Sequence, residues 1–191
     1  MKPFTEIAHD HVRAVLRPGD VAIDATIGNG HDTIFLAECV GPEGNVFGFD
    51  VQPDALERTA QRLVARNLHN VTLVNCSHAE MRSSLPMSEP GKLRAVMFNL
   101  GYLPGADKAI TTDAESTIAA IRQSLELLGA GGIVTVLAYV GHSGGLAEAD
   151  AVERLLGQLP HEEFDVNEEA APFERTAPPR LFVVRRREQA R

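Results

Sequence analysis

The stretch that decides the fold is Val21-Ala22-Ile23-Asp24-Ala25-Thr26-Ile27-Gly28-Asn29-Gly30-His31-Asp32-Thr33. From Val21 to Ala25 the chain is apolar except for Asp24, which predicts a short buried strand. Gly28-Asn29-Gly30 predicts a tight turn, and Asp32 to Val40 a helix. In a wound α/β sheet, ligands bind at the carboxyl ends of strands, beside the point where the strand order reverses. Glycines let the backbone turn sharply there and approach a ligand closely. Asp24 can meet a cationic amine, and exposed N–H groups at the helix start can meet a carboxylate. A ligand with both groups on one carbon is an amino-acid moiety, as in S-adenosylmethionine.

Outward from this stretch the same alternation continues. Upstream, Phe4, Ile7, Ala8, Val12, Val15 and Leu16 recur at helical spacing and stop at Pro18-Gly19. Downstream, strands are predicted at 45–50, 71–74, 94–100 and 133–140. Helices are predicted from Pro53 to about Asn67, from Asp113 to Leu128 and from Leu146 to Leu159, with Gly129 to Gly132 ending the second of these. Residues 83–93, with two prolines and a glycine, predict a loop. Two further strands, 164–166 and 181–184, have no helix between them and should form an antiparallel hairpin. The expected architecture is therefore α/β: a doubly wound, Rossmann-like, mostly parallel seven-stranded sheet with an antiparallel edge hairpin. That ending suits a methyltransferase sheet better than a dehydrogenase sheet.

Further strand ends carry chemistry. Asp50 closes the second strand, twenty residues after Gly30, where an acid accepts from both hydroxyls of an adenosine ribose. NAD and S-adenosylmethionine share that ribose, so this spacing does not separate them. Thr33, however, stands where a dinucleotide fingerprint needs its third glycine, and Asp32 at a helix start repels a pyrophosphate. Both favour S-adenosylmethionine. Asn75-Cys76-Ser77-His78 follows the third strand, with Ser77 and His78 best placed for adenine or ribose; an ordinary polar turn reads equally well. The fourth strand ends in Asn99-Leu100-Gly101-Tyr102-Leu103-Pro104-Gly105. An amide with an aromatic three positions on suits amino-group methylation: Asn99 accepts from a nitrogen and aims its lone pair, and Tyr102 shapes the pocket. In N-P-P-Y methyltransferases two prolines stand where Leu100 and Gly101 stand here. His142, in Gly141-His142-Ser143-Gly144-Gly145, can contact substrate, although loop histidines are commonly just solvated, and His9 and His11 read the same way.

Composition bounds the partners. The chain has 191 residues, 44% hydrophobic and 23% charged, which fits one globular domain over 1–191, with an N-terminal helix within 1–18 and a C-terminal hairpin within 160–191. No apolar run approaches the ~20 residues that span a bilayer, and the N-terminus lacks the apolar core of a signal peptide, so a cytoplasmic protein is expected. Two cysteines and seven unpaired histidines predict no metal. The net charge of −8 is sorted along the chain. Residues 148–169 hold eight acids against Arg154, whereas Arg175, Arg180, Arg185, Arg186 and Arg187 follow with no acid between them. A local basic patch binds phosphates despite an acidic total, although solvated faces explain both stretches equally well.

Together these features resemble class I methyltransferases, and more narrowly a small family long labelled rRNA methylases that includes the MnmM-type tRNA wobble-uridine methyltransferases. The resemblance rests on Asp24-Ala25-Thr26-x-Gly28-Asn29-Gly30-His31-Asp32-Thr33, Phe49-Asp50-x-Gln52, Ser77-His78 and Asn99 through Gly105 with Asp107-Lys108. It extends to Gly141-His142-x-Gly144-Gly145 and Ala177-Pro178-Pro179, with departures at Val140 and at Arg185-Arg186-Arg187. It implies methyl transfer from S-adenosylmethionine to the exocyclic amine of 5-aminomethyl-(2-thio)uridine in a tRNA anticodon stem-loop, by a homodimer. The implied cofactor contacts are Asp24, Thr26, Gly28, Asn29, Gly30, Asp32, Thr33, Asp50, Gln52, Ser77, His78 and Asn99. Asn99 and Tyr102 are the implied catalytic pair. Substrate contacts are expected from Tyr102, Lys108, His142, Arg175 and Arg180, with Arg82 as a further phosphate contact. Water, His11 or Tyr102 can relay the amine proton. Other readings stay open: the same fold acting on rRNA, a protein or a small amine, an NAD-linked enzyme, or a non-catalytic cofactor-binding scaffold.

Overall fold

The computed structural model describes residues 2–85, 92–101, 111–170 and 178–188. The described chain runs α1 (Phe4–Val15), β1 (Val21–Asp24), α2 (His31–Val40), β2 (Asn45–Phe49), α3 (Pro53–Ala65) and β3 (Val71–Val74). It continues through a 3₁₀ turn (His78–Glu80), α4 (Met81–Ser84), β4 (Leu93–Leu100), α5 (Ala114–Leu127), β5 (Leu128–Ala138), α6 (Gly145–Leu156), β6 (Phe164–Glu169) and β7 (Arg180–Arg186). The sheet order is β3-β2-β1-β4-β5-β7-β6. Strands β1 to β5 pair in parallel, and β7 pairs antiparallel with both β5 and β6. The strand order reverses between β1 and β4, and that is where the site lies.

Alternation along the strands sends side chains into two apolar layers, one on each face. In β7, Phe182 and Val184 join the layer under α5 and α6, with Ile121, Leu125, Val152 and Leu156. Leu181 and Val183 join the opposite layer under α1 and α2, with Phe4, Val12, Leu36 and Val40. In α1 the buried residues Phe4, Ala8 and Val12 recur every four positions, so one face packs on the sheet. Along the edge of that face α1 is pinned to the hairpin: the Arg185 guanidinium lies 2.9 Å from His11 Nδ1, and His11 Nε2 lies 2.8 Å from Glu169 Oε1.

Two local expectations are corrected. Gly129 to Gly132 does not form a helix-ending loop: β5 starts at Leu128, directly after α5. The register jumps from Leu93↔Leu128 to Ala95↔Ile133, a bulge that Gly131, at φ 70°, accommodates. The second is the loop expected over 83–93: α4 takes Ser83 and Ser84 from it, and its residues 86–91 lie outside the described residues. Ser77 caps the 3₁₀ turn by accepting from Ala79 N at 3.2 Å, and α4 follows it.

Candidate active site

The turn after β1 is built around its glycines. Gly28 and Gly30 have φ of 53° and 75°, in the left-handed region. A Cβ on Gly30 would also lie 2.4 Å from Thr59 Oγ1, so no other residue fits that approach of α2 to α3. The turn is tied to β2 by Ile27 N donating to Phe49 O at 3.0 Å. Asp50, one residue past β2, completes the tie by accepting from Gly28 N and Gln52 N, both at 2.9 Å. An ionised carboxylate offers about four lone-pair sites, so Asp50 keeps capacity for two more donors.

These loops open onto a cavity of about 870 Å³ across the carboxyl ends of β1, β2, β4 and β5. Of the residues expected there, Thr26, Gly28, Asn29, Asp32, Asp50, Gln52, Ser77, His78, Asn99 and His142 line it. Asp24, Gly30 and Thr33 do not; they lie behind its wall. Asp24 is wholly buried and accepts from Thr33 Oγ1 at 2.6 Å and Thr26 N at 3.1 Å. Burial, and next the nearby Asp32, push its carboxyl up to about 7. It braces the turn rather than facing a ligand.

Two acceptors in the cavity wall are buried without hydrogen-bond partners among the described residues: His78 Nε2 and Asn99 Oδ1. Burial lowers the His78 imidazole from the usual histidine range, which favours its neutral form. Its Nδ1 lies 3.2 Å from Ala25 O and carries the hydrogen, which leaves Nε2 a bare lone pair. Asn99 is fixed at its other polar groups. Its N–H donates to Thr26 Oγ1 at 2.7 Å, and its Nδ2 donates to the Asp32 carboxylate. Asp32 is 6% exposed, and its other oxygen lies 2.6 Å from His9 Nε2.

Beyond Asn99, Gly101 and Thr112 hold the chain by Thr112 N donating to Gly101 O and Gly101 N donating to Thr112 Oγ1, at 3.0 and 2.9 Å. Thr112 Oγ1 in turn donates to the buried Glu148, which also accepts from Thr117 Oγ1 at 2.6 Å. Burial raises the Glu148 carboxyl above the usual carboxylate range. Tyr102, Lys108 and Arg175 lie outside the described residues.

Of the expected phosphate contacts, the two among the described residues, Arg180 and Arg82, are engaged elsewhere. Arg180 does not line the cavity: it bonds Glu168 at 2.7 and 2.8 Å and pairs with Glu153 at 3.0 Å and Asp150 at 3.3 Å, joining α6 to the hairpin. Arg82 pairs with Glu126. The basic run is spent internally as well, on His11, Leu128 O and Asp165. Sequence reasoning missed Thr5, which α1 brings to the cavity together with His9, and Tyr139 at the end of β5. Among the described residues no group of three His, Cys, Asp or Glu is placed to hold a metal ion.

A parallel sheet ending in an antiparallel hairpin, with a glycine turn after β1, an acid after β2 and an asparagine closing β4, defines a class I methyltransferase. The chain belongs to the "Putative rRNA methylase" family, whose profile matches residues 46–185. It is 38% identical over 168 residues to an Arabidopsis thaliana protein named tRNA (mnm(5)s(2)U34)-methyltransferase, chloroplastic, covering 83% of this chain and 61% of that protein. The chain thus spans less than two thirds of that relative's length. Among solved structures, a "putative rRNA-methylase" from Clostridium thermocellum superposes with a TM-score of 0.92 at 38% identity, covering 97% of this chain and 98% of that one. A "putative methyltransferase" from Streptococcus mutans in complex with SAH superposes at 0.86 with 35% identity, covering 97% and 99%.

Proposed function

We propose that the protein is an S-adenosylmethionine-dependent N-methyltransferase of tRNA. Its substrate in this reading is the exocyclic amine of 5-aminomethyl-(2-thio)uridine at the wobble position, and its product 5-methylaminomethyl-(2-thio)uridine. The observation that carries the reading is Asn99 Oδ1, buried in the cavity wall at the end of β4 and without a partner among the described residues. The likeness to the Arabidopsis tRNA methyltransferase supports the choice of substrate.

The residues fit the cofactor. The cavity, about 870 Å³, is in the range of small-molecule sites. Asp50 has spare acceptor capacity for two ribose hydroxyls, and His78 Nε2 is a bare acceptor suited to the amine of adenine. Gly28 and Asn29 line the wall where an amino-acid end would lie against the start of α2. The chemistry supplied by S-adenosylmethionine, when bound, is a methyl group on cationic sulfur, which a neutral amine can take, leaving S-adenosylhomocysteine.

The protein's own part is to present that amine. An alkylamine is mostly protonated at neutral pH, so the site must favour the neutral form. Asn99 Oδ1 accepts one N–H of the amine and so directs its lone pair. The Asp32 carboxylate, one amide away, favours the positive charge that gathers on nitrogen during transfer. Alignment of this kind supplies up to ~7–11 kcal/mol in ideal cases. Tyr102, Lys108, His142 and Arg175 are the substrate contacts in this reading. A homodimer, a cytoplasmic location and the anticodon stem-loop as the bound element belong to it as well. No described helix is long and apolar enough to cross a membrane.

The test is nucleoside mass spectrometry of tRNA from cells lacking the protein, before and after incubation with purified protein and S-adenosylmethionine. Accumulated 5-aminomethyl-uridines that become methylated in vitro support the reading. An unchanged wobble profile removes the tRNA substrate, and rRNA then becomes the substrate to assay.

A further inference from the structure

We propose that His9, on the N-terminal helix, is a positioning residue for the amine-accepting amide of Asn99, acting through Asp32. The inference rests on the proposed function for its chemical purpose, but its geometry stands independently.

A side-chain amide has two ends of similar shape and opposite polarity, and only the oxygen can accept from a substrate N–H. Asn99 is useful only if its oxygen is turned toward the reacting nitrogen. Its own backbone does not decide this, because rotating the amide by half a turn exchanges the two ends. Asp32 decides it. A carboxylate only accepts, so it selects Nδ2 of Asn99 and leaves Oδ1 on the other side, where that oxygen is buried and without a partner.

Asp32 must in turn be held. It sits in the first turn of α2 with a side chain only 7% exposed, and a carboxylate there could tilt toward backbone N–H groups of the helix start. His9 Nε2 stands 2.6 Å from Asp32 Oδ1, and since the carboxylate accepts, the imidazole nitrogen donates. His9 is fixed by stacking on Phe35, with ring centres 3.8 Å apart and planes within 5°. Arg13 lies 5.0 Å from the centre of the same phenylalanine ring. The sequence of contacts runs from a packed aromatic through an imidazole and a carboxylate to the amide. Each member leaves the next one orientation.

The test compares three variants of the full-length protein. His9→Ala removes the donor, His9→Leu removes it while keeping apolar packing on Phe35, and His9→Gln keeps an N–H able to reach Asp32. His9→Ala and His9→Leu are expected to lower kcat at least tenfold. Their KM for S-adenosylmethionine and Kd for S-adenosylhomocysteine should move less than threefold. His9→Gln is expected to recover kcat to within threefold of wild type. Should the alanine variant not fold, the leucine variant carries the comparison.

A second readout needs no turnover. The side-chain amide protons of Asn99, followed by ¹⁵N–¹H NMR, should exchange slowly with water in the wild-type protein and at least tenfold faster in His9→Leu. A leucine variant with kcat within twofold of wild type overturns the assignment, and so does a glutamine variant as slow as the leucine one. Unchanged amide exchange overturns it too. Wild-type protein inactive on aminomethyl-uridine tRNA would instead defeat the proposed substrate, and the exchange measurement would still decide the role of His9.

Discussion

Asn99 has its backbone N–H and its side-chain N–H₂ engaged inside the protein and its side-chain oxygen left open, and such an arrangement loses function before it loses stability. Asn99→Ala removes the open acceptor together with one bond to Asp32. We expect kcat to fall about 10²-fold or more, as for loss of one oriented polar group at a reacting centre. Calorimetric affinity for S-adenosylhomocysteine should change only a few-fold; an equal loss in both would place Asn99 in cofactor binding alone. Asp24 gives the opposite case, a residue whose variation should affect stability through pH. In the folded chain its carboxyl titrates at about 7, against 3.8 when exposed. Below 3.8 both states hold the proton and nothing is lost. Between 3.8 and about 7 the unfolded chain has already released its proton while the folded chain still holds it, so stability falls across that window, by a few kcal/mol at most. Asp24→Asn stays neutral, and the Thr33 hydroxyl can turn from donor to acceptor. Its melting temperature relative to wild type should therefore rise between about pH 5 and about pH 8; a flat difference would show that Asp24 is ionised throughout. Residues at strand ends, Asp50 and Asn99 among them, were legible because strand and turn patterns surround them. The inward placement of Asp24 was not, since a strand-end acid reads the same whether it faces a ligand or braces the turn. His9 could not be told from a solvated histidine, because only tertiary packing brings α1 over the carboxyl edge of β1.

At the scale of elements, the junction of β1, α2 and α3 tolerates least. Gly30 combines φ of 75° with a Cβ position 2.4 to 3.0 Å from three atoms of Thr59. Gly30→Ala therefore meets backbone strain and a steric clash together, for a loss of about 2–4 kcal/mol. Thr59→Ala removes two of the three clashing atoms without touching φ. The double variant should recover part, not all, of the melting temperature lost by Gly30→Ala, and no recovery would mean that the clash is relieved elsewhere. Element order and type followed from periodicity because strands such as β4 and β5 are apolar on both faces, while helices such as α1 and α3 are apolar on one. The start of β5 was hidden, because Gly129-Ala130-Gly131-Gly132 has the composition of a helix stop. Its glycines serve a bulge against β4 instead, and that pairing is not encoded locally.

Over the whole molecule, the sorted charge resolves into internal pairing. Acids from α6 and β6 surround Arg180, whose guanidinium stacks 4.9 Å from Phe182 and is held charged, first by its bonds to Glu168. The basic residues at 185–187 close the hairpin onto α1, β5 and β6. Sequence alone could not separate a phosphate-binding patch from such a brace, since both need arginines in a row. Arg180→Ala separates them. With a side chain 20% exposed, Arg180 lies between the surface and buried limits, so its loss should cost about 1–3 kcal/mol. It would also leave Asp150, Glu153 and Glu168 facing one another without a cation. For a chain of this size that corresponds to a melting temperature lower by roughly 2–10 °C. Binding of anticodon stem-loop RNA, measured well below the melting temperature, should be nearly unchanged. A normal melting temperature with weakened, less salt-dependent RNA binding would restore Arg180 as a phosphate contact.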